Sequence, residues 1–136
     1  MESNNILLVE DDQQSALVYK DILETEGYKV EWASTATEAR EILFAKRTPK
    51  QAVIIDLHIP EKKSTLADTA HGAALVKEVK TNLGSQFPIV VISGVRSKKV
   101  MIEEGLSDFR NFEIIEKPIG GTIIQTLRKI IPEGKK

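Results

Sequence analysis

The chain contains no cysteine, which excludes disulfides, thiol chemistry and cysteine-ligated zinc. No charge of one sign prevails: 19 Lys and Arg face 20 Asp and Glu, a formal net charge of −1. No global field therefore draws the protein to nucleic acid or to a membrane surface. Basic residues gather only locally, at Lys46-Arg47-Lys50, Lys62-Lys63, Arg96-Lys98-Lys99 and Lys135-Lys136, and read as solvated surface. No apolar run approaches the length of a membrane span, and the opening Met1-Glu2-Ser3-Asn4-Asn5 is not a signal peptide. The expected location is cytoplasmic. Repeats and low-complexity segments are absent, and 136 residues suit a single domain with a core of its own over about 5–131. Pro132 to Lys136 reads either as a terminus or as the start of a linker.

What the chain has is alternation. Short apolar runs at Ile6–Glu10, Lys29–Ala33, Ala52–Asp56, Pro88–Ser93 and Glu113–Glu116 read as strands. Between them helical spacing recurs, as at Ala16, Tyr19, Leu23 and at Ile123, Leu127, Ile130, which puts those side chains on one helix face. Gly27 is the expected left-handed cap of the first helix. The first, third and fourth strands are almost wholly aliphatic, as interior parallel strands are. Lys29-Val30-Glu31-Trp32-Ala33 alternates and is the expected edge. The pattern predicts an α/β fold: a doubly wound five-stranded parallel sheet in flavodoxin-like order 2-1-3-4-5, with helices on both faces.

In such a sheet the carboxyl ends of the strands form one rim, where ligands bind. Glu10-Asp11-Asp12, Asp56, Ser93-Gly94 and Lys117-Pro118 each stand just past or at the end of a strand. Carboxylates crowded there repel, at roughly 4 kcal/mol for unit charges about 4 Å apart in an effective dielectric near 20. A divalent cation relieves this, and oxygen ligands suit Mg²⁺ or Mn²⁺. Asp11 and Asp56 are its expected chief ligands, Glu10 acting directly or through water, and the backbone carbonyl of His58 completing the set. An aspartate beside such an ion, a lysine and a hydroxyl is also a phosphoryl acceptor. Asp12 reads equally as a third metal-site acid or as a helix N-cap.

Ile-Leu-Leu-Val-Glu-Asp-Asp, Ile-Ile-Asp-Leu-His-Ile-Pro, Val-Ile-Ser-Gly and Ile-Ile-Glu-Lys-Pro-Ile, in that order, resemble a response-regulator receiver domain of two-component signalling (CheY-like). The resemblance runs from about Asn5 to Ile131. It implies that Asp56 takes a phosphoryl group from a histidine kinase or phosphotransfer protein. Glu10 and Asp11 match the acidic pair and Ser93 the switch hydroxyl, with Gly94 leaving room for the phosphoryl group. Lys117 matches the phosphoryl-contacting lysine, with a cis bond before Pro118. Such a domain promotes only its own phosphorylation and dephosphorylation. Its changed surface would speak to an output protein or domain, without direct nucleic-acid binding; a homodimer on phosphorylation stays open.

Two departures from that pattern stand out. Pro60 and Gly72 are separated by an enlarged polar loop at about 61–71, readable as a lid, a docking element or a tolerated insertion; the passive reading is preferred. Ile114 occupies the switch position, where the family commonly has Tyr or Phe, and Phe109 or Phe112 reads as core rather than as a substitute. His58 and His71 read as exposed loop histidines and Trp32 as packing. Two rival functions remain. One is a Mg²⁺-dependent small-molecule phosphohydrolase, although His58 stands where the haloacid-dehalogenase kind needs an acid. The other is a degenerate receiver that only binds.

Overall fold

The computed structural model describes residues 4–44, 49–94, 112–116 and 122–131. β1 (Asn5–Val9), β2 (Lys29–Ala33), β3 (Ala52–Asp56), β6 (Ile89–Ser93) and β7 (Phe112–Glu116) form one parallel sheet in the order β2-β1-β3-β6-β7. Setting aside the short strands β4 (Ile59–Pro60) and β5 (Ala67–Asp68), this is the order expected from the sequence. β1, β3 and β6 lie inside it, and their aliphatic runs are buried on both faces. β2 is an edge, and its alternating exposure matches its alternating sequence.

Strand alternation sorts the core into two halves. Leu7, Val9, Val53, Ile55 and Val91 face α2 (Ala36–Phe44) and α3 (Thr69–Leu83). Ile6, Leu8, Ile54, Val90 and Ile92 face α1 (Gln13–Thr25) and α4 (Thr122–Ile130). Each helix offers the stripe its spacing predicts: Ala16, Tyr19 and Leu23 on α1, and Ile123, Leu127 and Ile130 on α4, are all buried.

α1 begins where Asp12 accepts the Ser15 N–H at 3.0 Å and the Ser15 hydroxyl at 2.6 Å. It stops at Gly27, whose φ of 98° is a left-handed conformation that glycine adopts without strain. Asp12 is thus the N-cap of α1.

The enlarged loop expected over about 61–71 is shorter than that. β4 (Ile59–Pro60) pairs antiparallel with β5 (Ala67–Asp68), and Asp68 caps α3 by accepting the Ala70 N–H at 2.8 Å. Only 61–66 lies outside regular structure. The hairpin's base is tied down from several sides. Glu61 accepts the Thr37 N–H through its carbonyl at 2.9 Å, and its carboxylate meets the Arg40 guanidinium. Arg40 also reaches Glu78 on α3, Nε to Oε1 at 2.6 Å. Hydrogen bonding to Arg40 is the main reason the Glu61 carboxyl titrates below its usual range. The Ile59 carbonyl sits 2.8 Å from His71 Nδ1, so His71 is a structural partner of the hairpin.

A lysine is buried in the core. Lys80 on α3 is 4% exposed, and its Nζ donates to the Phe87 carbonyl at 2.6 Å. Desolvation pushes its pKa down to about 8 from 10.5. Below about pH 8 both folded and unfolded chains carry this charge, and the folded chain bears the whole cost of burying it. Between about 8 and 10.5 the unfolded chain still holds the proton while the folded chain has released it, so stability rises with pH. Urea midpoints measured at about pH 8 and pH 10 should therefore rise, relative to a Lys80→Met variant that removes this titration. Parallel pH profiles in the two proteins would contradict the assignment.

Candidate functional site: an acidic cleft at the strand ends

β1 and β3 are neighbours, and the chain leaves them toward opposite layers, β1 into α1 and β3 toward the hairpin and α3. A crevice opens at that divergence. Glu10 follows β1 directly and is buried, Asp11 is exposed beside it, and Asp56 is the last, buried residue of β3. Each offers a carboxylate oxygen, and these oxygens all lie within 4.8 Å of one another. The sequence separates Asp11 and Asp56 widely; the parallel pairing of β1 with β3, Val9 opposite Ile55, brings them together.

Backbone groups aim these carboxylates. The His58 N–H donates to Asp56 Oδ1 at 3.0 Å, an interaction that closes the turn after β3 and holds one carboxylate oxygen. The Asp12 N–H donates to Glu10 Oε2 at 3.2 Å. Glu10's own N–H donates to the Ala33 carbonyl at 3.0 Å, and its carbonyl accepts the Trp32 indole N–H at 2.7 Å. α3 presses on the turn after β3 through Gly72: a Cβ there would stand 2.4 Å from the Leu57 Cα and carbonyl oxygen.

On the next strand, Asp56 pairs with Ile92, so Ser93 lies one residue further along the rim. Ser93 is 1% exposed, and its hydroxyl has no hydrogen-bond partner among the described residues. Such a hydroxyl costs about 1–3 kcal/mol unless something satisfies it. Gly94 is exposed, and a Cβ there would meet no described residue within 4 Å. Its lack of a side chain leaves open space beside Ser93. Ile114 is half-buried in β7, opposite Val91, and packs into the α2–α3 half of the core. His58 exposes its side chain to solvent. Lys117 and Pro118 lie outside the described residues.

The family model of the response regulator receiver domain matches residues 6–129. The chain belongs to that family. Solved receiver domains share its fold. A response regulator receiver domain protein from Clostridium thermocellum covers 96% of both chains at 22% identity and a TM-score of 0.78. A CheY-like receiver domain from Methylobacillus flagellatus covers 96% of this chain and 100% of its own, at 26% identity and a TM-score of 0.72. NtrX from Brucella abortus matches 96% of this chain with 27% of its own length, at 23% identity and a TM-score of 0.75. No curated protein sequence matches the chain. Among the described residues, no helix of this receiver domain is long and apolar enough to cross a membrane.

The acidic cluster of the receiver domain fits a hard divalent cation. Its donors are carboxylate oxygens within reach of a common point, and such ions take oxygen ligands. Sequence reasoning missed the Trp32 bond to Glu10. A tryptophan on an edge strand signals packing, and nothing in the sequence says where its N–H points.

Proposed function

We propose that this receiver domain is a phosphorylation-dependent switch in which Asp56 accepts a phosphoryl group from a histidine kinase or phosphotransfer protein. The observation that carries the proposal is the pairing of Asp56, inside a three-carboxylate cluster, with the buried Ser93 hydroxyl, which has no partner among the described residues and lies one register step away. A lone acidic cluster needs only a cation. A cluster flanked by an orphan hydroxyl and an open glycine has a place for a second, oxygen-rich group.

The residues divide the work. Asp56, whose Oδ1 accepts the His58 N–H, attacks phosphorus with a carboxylate oxygen, while the donor imidazole leaves with the electron pair of the broken P–N bond. Glu10, Asp11, Asp56 and the His58 carbonyl would hold Mg²⁺ or Mn²⁺, which when bound offsets charge on the transferring phosphoryl oxygens. Ser93 donates its hydroxyl to one of those oxygens, and Gly94 leaves room for them. Lys117 is assigned the remaining phosphoryl contact by the family pattern.

Satisfying Ser93 draws the end of β6 toward the new group, and this biases a pre-existing equilibrium of the neighbouring surface. β7 is bonded to β6 along its length, Ser93 opposite Glu116, so the bias passes to that edge. Ile114 has no hydroxyl or ring to follow Ser93, and the readout here is a shift of the β6–β7 backbone. The surface so altered is read by an output protein or domain inside the cytoplasm.

Incubation with Mg²⁺ and acetyl phosphate should add one phosphoryl group to the intact mass. Chelation of the metal, or Asp56→Asn, should abolish it. An unchanged wild-type mass in the presence of Mg²⁺ would refute the proposal. Repeated turnover of small phosphoesters would instead favour a hydrolase.

A further inference from the structure

The chain has one tryptophan, and its indole N–H is bonded to the backbone of the acidic cluster. Trp32 Nε1 lies 2.7 Å from the Glu10 carbonyl oxygen, a short bond for an N–H donor to a carbonyl. That carbonyl belongs to the peptide joining Glu10 to Asp11. The peptide is planar, so a donor that fixes its carbonyl also fixes the plane from which the Asp11 Cα departs. The preceding peptide is fixed as well, since the Glu10 N–H donates to the Ala33 carbonyl. Both bonds come from β2, and together they clamp the backbone at the point where it leaves β1 for the site.

Packing alone does not explain the choice of residue. Trp32 is half-buried against the α1–α4 half of the core, a role that phenylalanine or leucine would fill. Tryptophan adds an N–H at the edge of a large apolar ring, and here that N–H is spent on Glu10. Asp11, by contrast, is exposed, and the backbone here sets the point from which its carboxylate departs.

We propose that Trp32 is a positioning residue of the cation site: its indole N–H holds the Glu10–Asp11 peptide in the orientation that aims both carboxylates at the point shared with Asp56. The proposal rests on the reading of Glu10, Asp11 and Asp56 as a cation site.

The test compares the full wild-type chain with Trp32→Phe, which keeps an apolar ring and removes the donor. Mg²⁺ affinity is measured by titration calorimetry, and phosphoryl uptake from acetyl phosphate by mass. Loss of one positioning hydrogen bond should weaken Mg²⁺ binding about fivefold, and uptake should recover at saturating Mg²⁺. A variant of lower stability but unchanged Mg²⁺ affinity would overturn the proposal and leave the cation site standing. Absence of Mg²⁺ binding by the wild-type chain would overturn both. If Trp32→Phe does not fold, the wild-type indole ¹⁵N–¹H resonance decides. It should move on Mg²⁺ titration with the half-saturation seen by calorimetry, and a stationary resonance would overturn the proposal.

Discussion

Gly72→Ala should destabilise the domain by about 3 kcal/mol or more. The usual expectation runs the other way. Gly72 lies inside α3, and alanine normally stabilises a helix interior by about 1 kcal/mol over glycine. Here the added methyl would stand 2.4 Å from the Leu57 Cα and carbonyl oxygen and 2.7 Å from its carbonyl carbon. All three are backbone atoms, so no side-chain rotation relieves the overlap. Either α3 lifts off the sheet, opening the core around Leu75, Val76 and Val79, or Leu57 moves. Leu57 directly follows Asp56, and its N–H is bonded to the Ile92 carbonyl at 3.3 Å. Displacing it turns the Asp56 carboxylate away from Glu10 and Asp11. A lower urea midpoint together with weaker Mg²⁺ binding is the expected result. A midpoint equal to or above that of the wild type would show that the close approach of α3 to the turn is wrong.

Asp11→Asn should remove most of the stabilisation that Mg²⁺ confers. A ligand that binds only the folded chain stabilises it by about 2.7 kcal/mol when present at a hundredfold excess over its Kd. The wild-type melting temperature should therefore rise on adding Mg²⁺ and fall back with a chelator. Asp11 contributes one of three carboxylates whose oxygens lie within 4.8 Å of one another. Unit charges at that separation repel by roughly 3 kcal/mol at an effective dielectric near 20, and exposure of Asp11 reduces the figure. Asparagine keeps the shape and an oxygen but gives up the charge that makes a cation favourable there. Thermal melts with and without Mg²⁺ check this. An undiminished Mg²⁺ shift in Asp11→Asn would place the ion elsewhere.

The sheet was legible because its interior strands carry unbroken aliphatic runs and its β2 edge alternates. Gly27 marked the end of α1 by chemistry that is local in the chain, while Asp12 read equally as a cap or a metal-site acid, a choice decided only by its bonds to Ser15. The acidic cluster was legible for a related reason: Glu10, Asp11 and Asp56 sit at or just past strand ends, and a parallel sheet puts those ends on one rim. The hairpin was not legible. Two-residue strands such as Ile59–Pro60 and Ala67–Asp68 are too short to show a period, and their polar setting reads as loop. Asp68-Thr69-Ala70-His71 did carry an N-cap signal, but it lay hidden within a longer polar stretch. The Arg40 bonds to Glu61 and Glu78 and the Trp32 bond to Glu10 join residues distant in sequence, and nothing local encodes them. Gly72 was visible as a marker of the family pattern, while its physical reason, the Leu57 backbone, is a matter of packing alone.

The proposed acceptor can be read directly. Reduction of the phosphorylated chain with borohydride converts an aspartyl phosphate to homoserine, and peptide mass spectrometry then locates it. Homoserine at position 56, dependent on Mg²⁺, is the result these residues predict. Homoserine at position 11 or 12, or the reduction product of a glutamyl phosphate at Glu10, would mean that the cleft presents a different oxygen to phosphorus.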